Sequence, residues 1–202
     1  KTEYSLSEGA LPIARIAELC QSFSMPAVGI SDNNNMFGAL EFSEQIAKIG
    51  VQPILGCNIK IKTPKEYLHE NIEDNDLYFF LNIFSKSKEG YENLLKCISN
   101  AYTLNKGNAY VTIDDLIKFK EGLIILSGGN NSILTHSTGQ MITKQSKQFV
   151  SDFKSEFNDN FYIEIQRLGI VDYRLNEEAV LNLAYDYQIP LVATNDAYFE
   201  GP

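Results

Sequence analysis

Short apolar runs rich in β-branched and aromatic residues alternate with segments of helical periodicity along almost the whole chain, and this alternation limits the fold more than any other feature. The runs fall at 26–31, 51–62, 77–84, 122–126, 161–166 and 190–194, with helical patterns at 11–22, 36–49, 88–103, 112–119, 143–157 and 171–187. Repeated strand–helix units predict an α/β fold built on a parallel sheet or barrel. Thr112 ahead of Asp114 and Asp115 is a helix start, and Gly50 is a helix stop. The stretch 63–76 is charged, contains Pro64 and reads as an exposed loop. The 202 residues show no repeat or flexible linker, so one domain over 1–202 is expected.

Parallel α/β folds collect their chemistry at the C-terminal ends of the strands. Polar clusters fall there: Ser31 to Asn35, Cys57 with Asn58, Ser127 to Asn131, Glu164 with Gln166, and Thr194 to Asp196. Converging on one mouth, they could present oxygen ligands to a cation. On residue type alone such turns are more often caps than ligands. Asp32 and Asp196 then receive backbone N–H groups, and Glu164 pairs with a lysine or an arginine. His69 and His136 have no second histidine at ligand spacing and read as solvated side chains.

A net charge of −9 is the wrong sign for a surface that wraps phosphate backbones, and it fits docking of protein partners better. The eleven tyrosines and twelve phenylalanines read as packing and not as a base-stacking platform, because no basic residues interleave with them in the sequence. Cys20, Cys57 and Cys97 lack metal-site spacing and are expected to be buried and free, in a reducing cytoplasm. No run approaches the ~18 apolar residues of a membrane span, so no membrane partner is expected.

Several blocks are more specific. Thr2 to Leu6 with Gly9 and Ala10, Met25 to Ala27, Ser31-Asp32 with Asn35 to Gly38, Gln52 to Cys57, Glu89 to Leu95, Glu121 to Ile124, Leu126 to Gly128, Phe161 to Arg167 and Val192 to Asp196 follow one another in order. Together they resemble the polymerase-and-histidinol-phosphatase (PHP) domain of bacterial DNA polymerase III alpha subunits. The resemblance implies a distorted seven-stranded, TIM-like βα barrel, here lacking part of its first strand, within a much larger polymerase. The polymerase's own catalytic carboxylates and magnesium would lie outside this chain.

Active members of that family hold three metal ions with histidines, acids and a cysteine, and hydrolyse phosphoesters. Set against that pattern, Lys1 falls at the second histidine of an opening His-x-His pair. Asp32 and Asp196 are kept, Asn33 replaces a histidine, Asn58 a glutamate and Gly129 a cysteine, while Phe80 and Tyr198 stand at histidine positions. Amide carbonyls are weak neutral ligands, and Phe and Gly side chains offer none. Without metal no bound water becomes a hydroxide nucleophile at neutral pH. The resemblance therefore implies no metal and no catalytic residue here. It also implies a structural module that docks the proofreading exonuclease and other replicase subunits, with DNA held mainly by the parent chain. The alternative is a metal-dependent phosphoesterase or 3'–5' exonuclease with a reduced site. A free-standing histidinol-phosphatase-like protein would lack the same ligands.

Overall fold

The computed structural model describes residues 1–6, 8–68, 77–105, 108–129, 132–134, 142–167 and 171–200. Among these, strands β1 (Ala27–Asn33), β2 (Gln52–Lys62), β3 (Tyr78–Ser85), β4 (Leu123–Leu126), β5 (Phe161–Gln166) and β6 (Leu191–Thr194) form one sheet in sequential order. Helices α1 (Ile13–Ser22), α2 (Ala39–Lys48), α3 (Lys88–Leu104), α4 (Ile113–Lys118), α5 (Lys144–Phe157) and α6 (Val171–Asp186) fall between or beside them. Each predicted element is present, the largest shift being 36–49 against Ala39–Lys48. Six strands, not seven, are found among the described residues.

The sheet is mixed and not wholly parallel. β1–β2, β4–β5 and β5–β6 pair in parallel, whereas β3 runs antiparallel to both β2 and β4. The cause lies between β2 and β3: a parallel return needs a long crossover, usually a helix. Here the segment after Lys62 carries only a 3₁₀ turn, Lys65–Tyr67, among its described residues. That segment is less exposed than its composition suggests, since Thr63 and Tyr67 are buried and the Tyr67 ring meets Phe149 edge-on at 5.8 Å. His69 and the rest of 69–76 lie outside the described residues, as do Asn130, Asn131 and His136.

The helix ends follow local chemistry. Thr112, Ser87 and Thr143 each accept the backbone N–H three residues on, capping α4, α3 and α5. Gly50 takes φ +77° just past α2, as expected of a residue that ends a helix in the left-handed region. A core of Ile59, Ile61, Phe79, Leu81, Ile83, Leu94, Phe149, Phe153 and Phe161 fills the space between the sheet and α3 and α5. A smaller cluster of Ile13, Cys20, Ile30, Phe42 and Ile46 joins α1 and α2 to β1.

All three cysteines are buried and free. Burial pushes the Cys57 and Cys97 thiols up to about 12, from an ordinary value of 9.0. Between these values the unfolded chain ionises its thiols while the fold keeps them protonated. Stability is therefore complete below pH 9 and lost as pH rises towards 12, by up to roughly 1.4 kcal/mol per pH unit for each thiol. Urea unfolding at about pH 8 and about pH 10 should show this fall, and a C57A/C97A variant should lose most of it.

Candidate functional site

The C-terminal ends of the parallel strands and the middle of the reversed strand β3 meet around a cavity of about 170 Å³. Its lining draws on every strand or the turn after it, so the sheet curls around it. Lys1, Asn33, Asn58, Phe80, Asp196 and Tyr198, singled out in the sequence, all line it, together with Glu8, Asn82, Gly128 and Gln166. Asp32 and Gly129 lie outside the lining.

Asp32, next to last in β1, is 1% exposed. One oxygen accepts from the Thr2 backbone N–H at 2.6 Å and the Ser5 hydroxyl at 2.7 Å, and the other from the Thr2 hydroxyl at 2.6 Å. It does receive a backbone N–H, though from a distant segment and not from its own turn. This anchors the N-terminal strip, through Thr2 and Ser5, beside the cavity. The Lys1 backbone nitrogen reaches Ala197 O at 2.7 Å and Ala10 N reaches Tyr198 O at 2.8 Å, tying the strip to the segment after β6.

A second network crosses the floor. Asn82 Oδ1 accepts from the Ser31 hydroxyl and from Asn58 Nδ2, each at 2.8 Å. Its Nδ2 donates to both carboxylate oxygens of Glu164, at 3.0 and 2.9 Å. Glu164, 5% exposed, also accepts from Gly128 N at 3.2 Å, Gln166 Nε2 at 3.1 Å and, closer, the Thr194 hydroxyl. The expected lysine or arginine partner of Glu164 is replaced by neutral donors. Enough amide and hydroxyl dipoles converge to hold a buried carboxylate without a full positive charge.

Lys1 supplies the cation at the mouth. Its Nζ donates to Asn33 Oδ1 at 2.7 Å, and Asn33 Nδ2 in turn donates to Glu8. Burial draws the Lys1 ammonium below its ordinary value, opposed first by the field of Asp196 and also by Asp32 and Glu8. Asp196 accepts from the Tyr198 hydroxyl at 3.1 Å.

Phe80 contributes a hydrocarbon wall. Gly129 has φ +54°, and a Cβ there would stand 2.4 Å from the Gln166 amide, so a side chain at this position meets both strain and a filled space. Among the described residues, no three His, Cys, Asp or Glu side chains gather where one ion could bind them. The polar atoms satisfy one another instead.

Asn82, Thr2 and Ser5 were not singled out in the sequence. Asn82 did leave a signal: it is an amide in the middle of an apolar strand, where asparagine is disfavoured.

The PHP domain family model matches residues 1–168. The DNA polymerase III subunit alpha of Caulobacter vibrioides is 34% identical over 204 residues, covering 100% of this chain and 18% of that protein. The Rickettsia felis subunit of the same name is 33% identical, over 98% of this chain and 16% of that protein. The chain thus spans less than a fifth of the length of these relatives. Among solved structures, a Bifidobacterium adolescentis protein described as a metal-dependent phosphoesterase superposes with a TM-score of 0.61 at 11% identity, covering 96% of this chain and 85% of that one. A Chromobacterium violaceum amidohydrolase, solved with bound sulfate and no metal, gives 0.59 at 11% identity, covering 98% and 86%. At that identity these two speak for the fold alone.

Proposed function

The chain belongs to the PHP domain family, and from that premise we propose that it is a metal-free, catalytically silent PHP module of a replicative DNA polymerase III alpha chain. In this reading 1–202 is one domain that braces the polymerase in the cytoplasm and docks its proofreading exonuclease and other replicase subunits. The sheet belongs to a seven-stranded barrel, one further strand lying between the free edges of β1 and β6. Polymerase chemistry, with its magnesium, and the main grip on DNA belong to the parent chain.

The observation that carries this reading is the wiring of the mouth. A trinuclear metal centre does not fit a donor set in which Asn33, Asn58 and Asn82 offer neutral amides. The Asp32 and Glu164 carboxylates are already committed to neutral donors, and the Lys1 ammonium faces the same cavity. A lysine cation there repels dications. The same donor set weighs against a phosphoesterase or 3'–5' exonuclease with a reduced site. The acidic balance of the chain supports a protein-binding surface.

Hydrogen exchange on the full polymerase chain, with and without its exonuclease subunit, tests the docking role. New protection is expected in peptides from this chain. Protection confined to other parts of the polymerase would contradict it.

A further inference from the structure

The expectation that no basic residues interleave with the aromatic ones fails in three dimensions. Lys60 and Lys62 stand on the same face of β2 as Asn58, and their partners across the ladder are Phe80 and Tyr78. Tyr110 is brought alongside by the bridge between Val111 and Ile61. Lys60 Nζ sits 4.2 Å from the centre of the Tyr78 ring and Lys62 Nζ 5.4 Å from that of Tyr110. The two tyrosine rings are 5.5 Å apart, tilted by 48°. Phe80, the inner end of this strip, lines the mouth cavity.

Neither lysine forms an ion pair among the described residues, on a chain whose net charge is −9. Lys62 is exposed, while Lys60, Tyr78 and Tyr110 are half-buried, so the strip reaches solvent at its Lys62 end. Alternating cations and aromatic faces along an extended strip are what a flexible polyanion with π-faced bases requires.

We propose that this strip binds single-stranded nucleic acid, with bases stacking on Tyr78, Tyr110 and Phe80 and backbone phosphates held by Lys60 and Lys62. Lys60 Nζ also donates to Asn108 Oδ1 at 3.0 Å, and Asn108 Nδ2 to the Tyr78 hydroxyl at 2.9 Å. Binding therefore exchanges one neutral hydrogen bond of Lys60 for a charged phosphate contact as the ammonium groups swing from the ring faces. Contact here adds to the main grip expected elsewhere in the parent chain and does not depend on the mouth being metal-free.

The test is photocrosslinking of an oligothymidylate carrying 5-iodouracil to the full chain, followed by peptide mapping. Adducts on Tyr78 or Tyr110 are expected, falling roughly 5- to 160-fold in a Tyr78→Leu, Tyr110→Leu variant, the range of one lost stacked base. A Lys60→Gln, Lys62→Gln variant keeps the rings and the lysine stems' packing. It should reduce the salt dependence of binding by about 1.4 in log–log slope, the equivalent of two single-strand phosphate contacts. Adducts mapping only to other regions, or an unchanged salt slope, would overturn the proposal and leave the strip as a brace between β2 and β3.

Discussion

Asp32→Ala is expected to lower the unfolding free energy by about 3–5 kcal/mol, the loss that follows when a buried charged acceptor of several hydrogen bonds is removed and its donors are left unsatisfied. Its carboxylate takes three short hydrogen bonds from Thr2 and Ser5, and all three residues are almost wholly buried. A bond to a charged group is worth about 1.5–3 kcal/mol, and the contributions do not add fully because one acceptor serves all three. Removing it leaves three donors without an acceptor and frees the strip that ties β1 to the segment after β6. Asp32→Asn keeps one acceptor oxygen but turns an N–H toward those donors, so it should lose about half as much. In a domain of this size the alanine variant should melt roughly 10 °C lower, by calorimetry or circular dichroism. A loss below about 1 kcal/mol would mean that the strip is not held by this carboxylate.

The second large effect is expected at Asn82, which among the described residues alone links Ser31 and Asn58 to Glu164. Asn82→Ala removes two donors from a buried carboxylate and the acceptor of two further groups, at a cost of about 2–4 kcal/mol. Asn82→Asp keeps the volume and inverts the electrostatics. Two carboxylates in contact raise the pKa of one of them, so the folded state holds a proton that the unfolded chain releases at about pH 4. The stability of this variant must therefore fall as pH rises from about 4 towards neutrality. Urea titrations of both variants across that interval check the sign: the alanine variant, which loses two donors to Glu164 but gains no second carboxylate, should show a smaller decline.

The elements were readable because each has a strong period and clean punctuation, as at Gly50 and Thr112. The reversed strand was readable in principle, since no helical pattern separates 51–62 from 77–84 and a parallel return usually runs through a helix. Asn82 was missed for the same reason. Attention to strand ends suits a parallel sheet, whereas an antiparallel strand brings its middle to the mouth. Asn33, Asn58, Phe80, Asp196 and Tyr198 line the cavity, and the family pattern is what drew attention to these positions along the chain. Their hydrogen-bond partners were not visible, since pairs such as Asp32 with Thr2 or Glu164 with Asn82 join segments far apart in sequence. The Lys60, Tyr78, Tyr110 and Lys62 strip was hidden likewise: its members come from three separate segments, and only strand register sets them side by side.

The central claim is that the mouth of this PHP domain is wired by amides, hydroxyls and one ammonium group in place of metal ions. Elemental analysis of the full-length protein, purified without chelators, tests it most directly. The account predicts well under one equivalent of zinc, manganese or iron assignable to this domain, unchanged by Asp32→Ala. Two or more equivalents, lost together with phosphodiester hydrolysis in that variant, would contradict it.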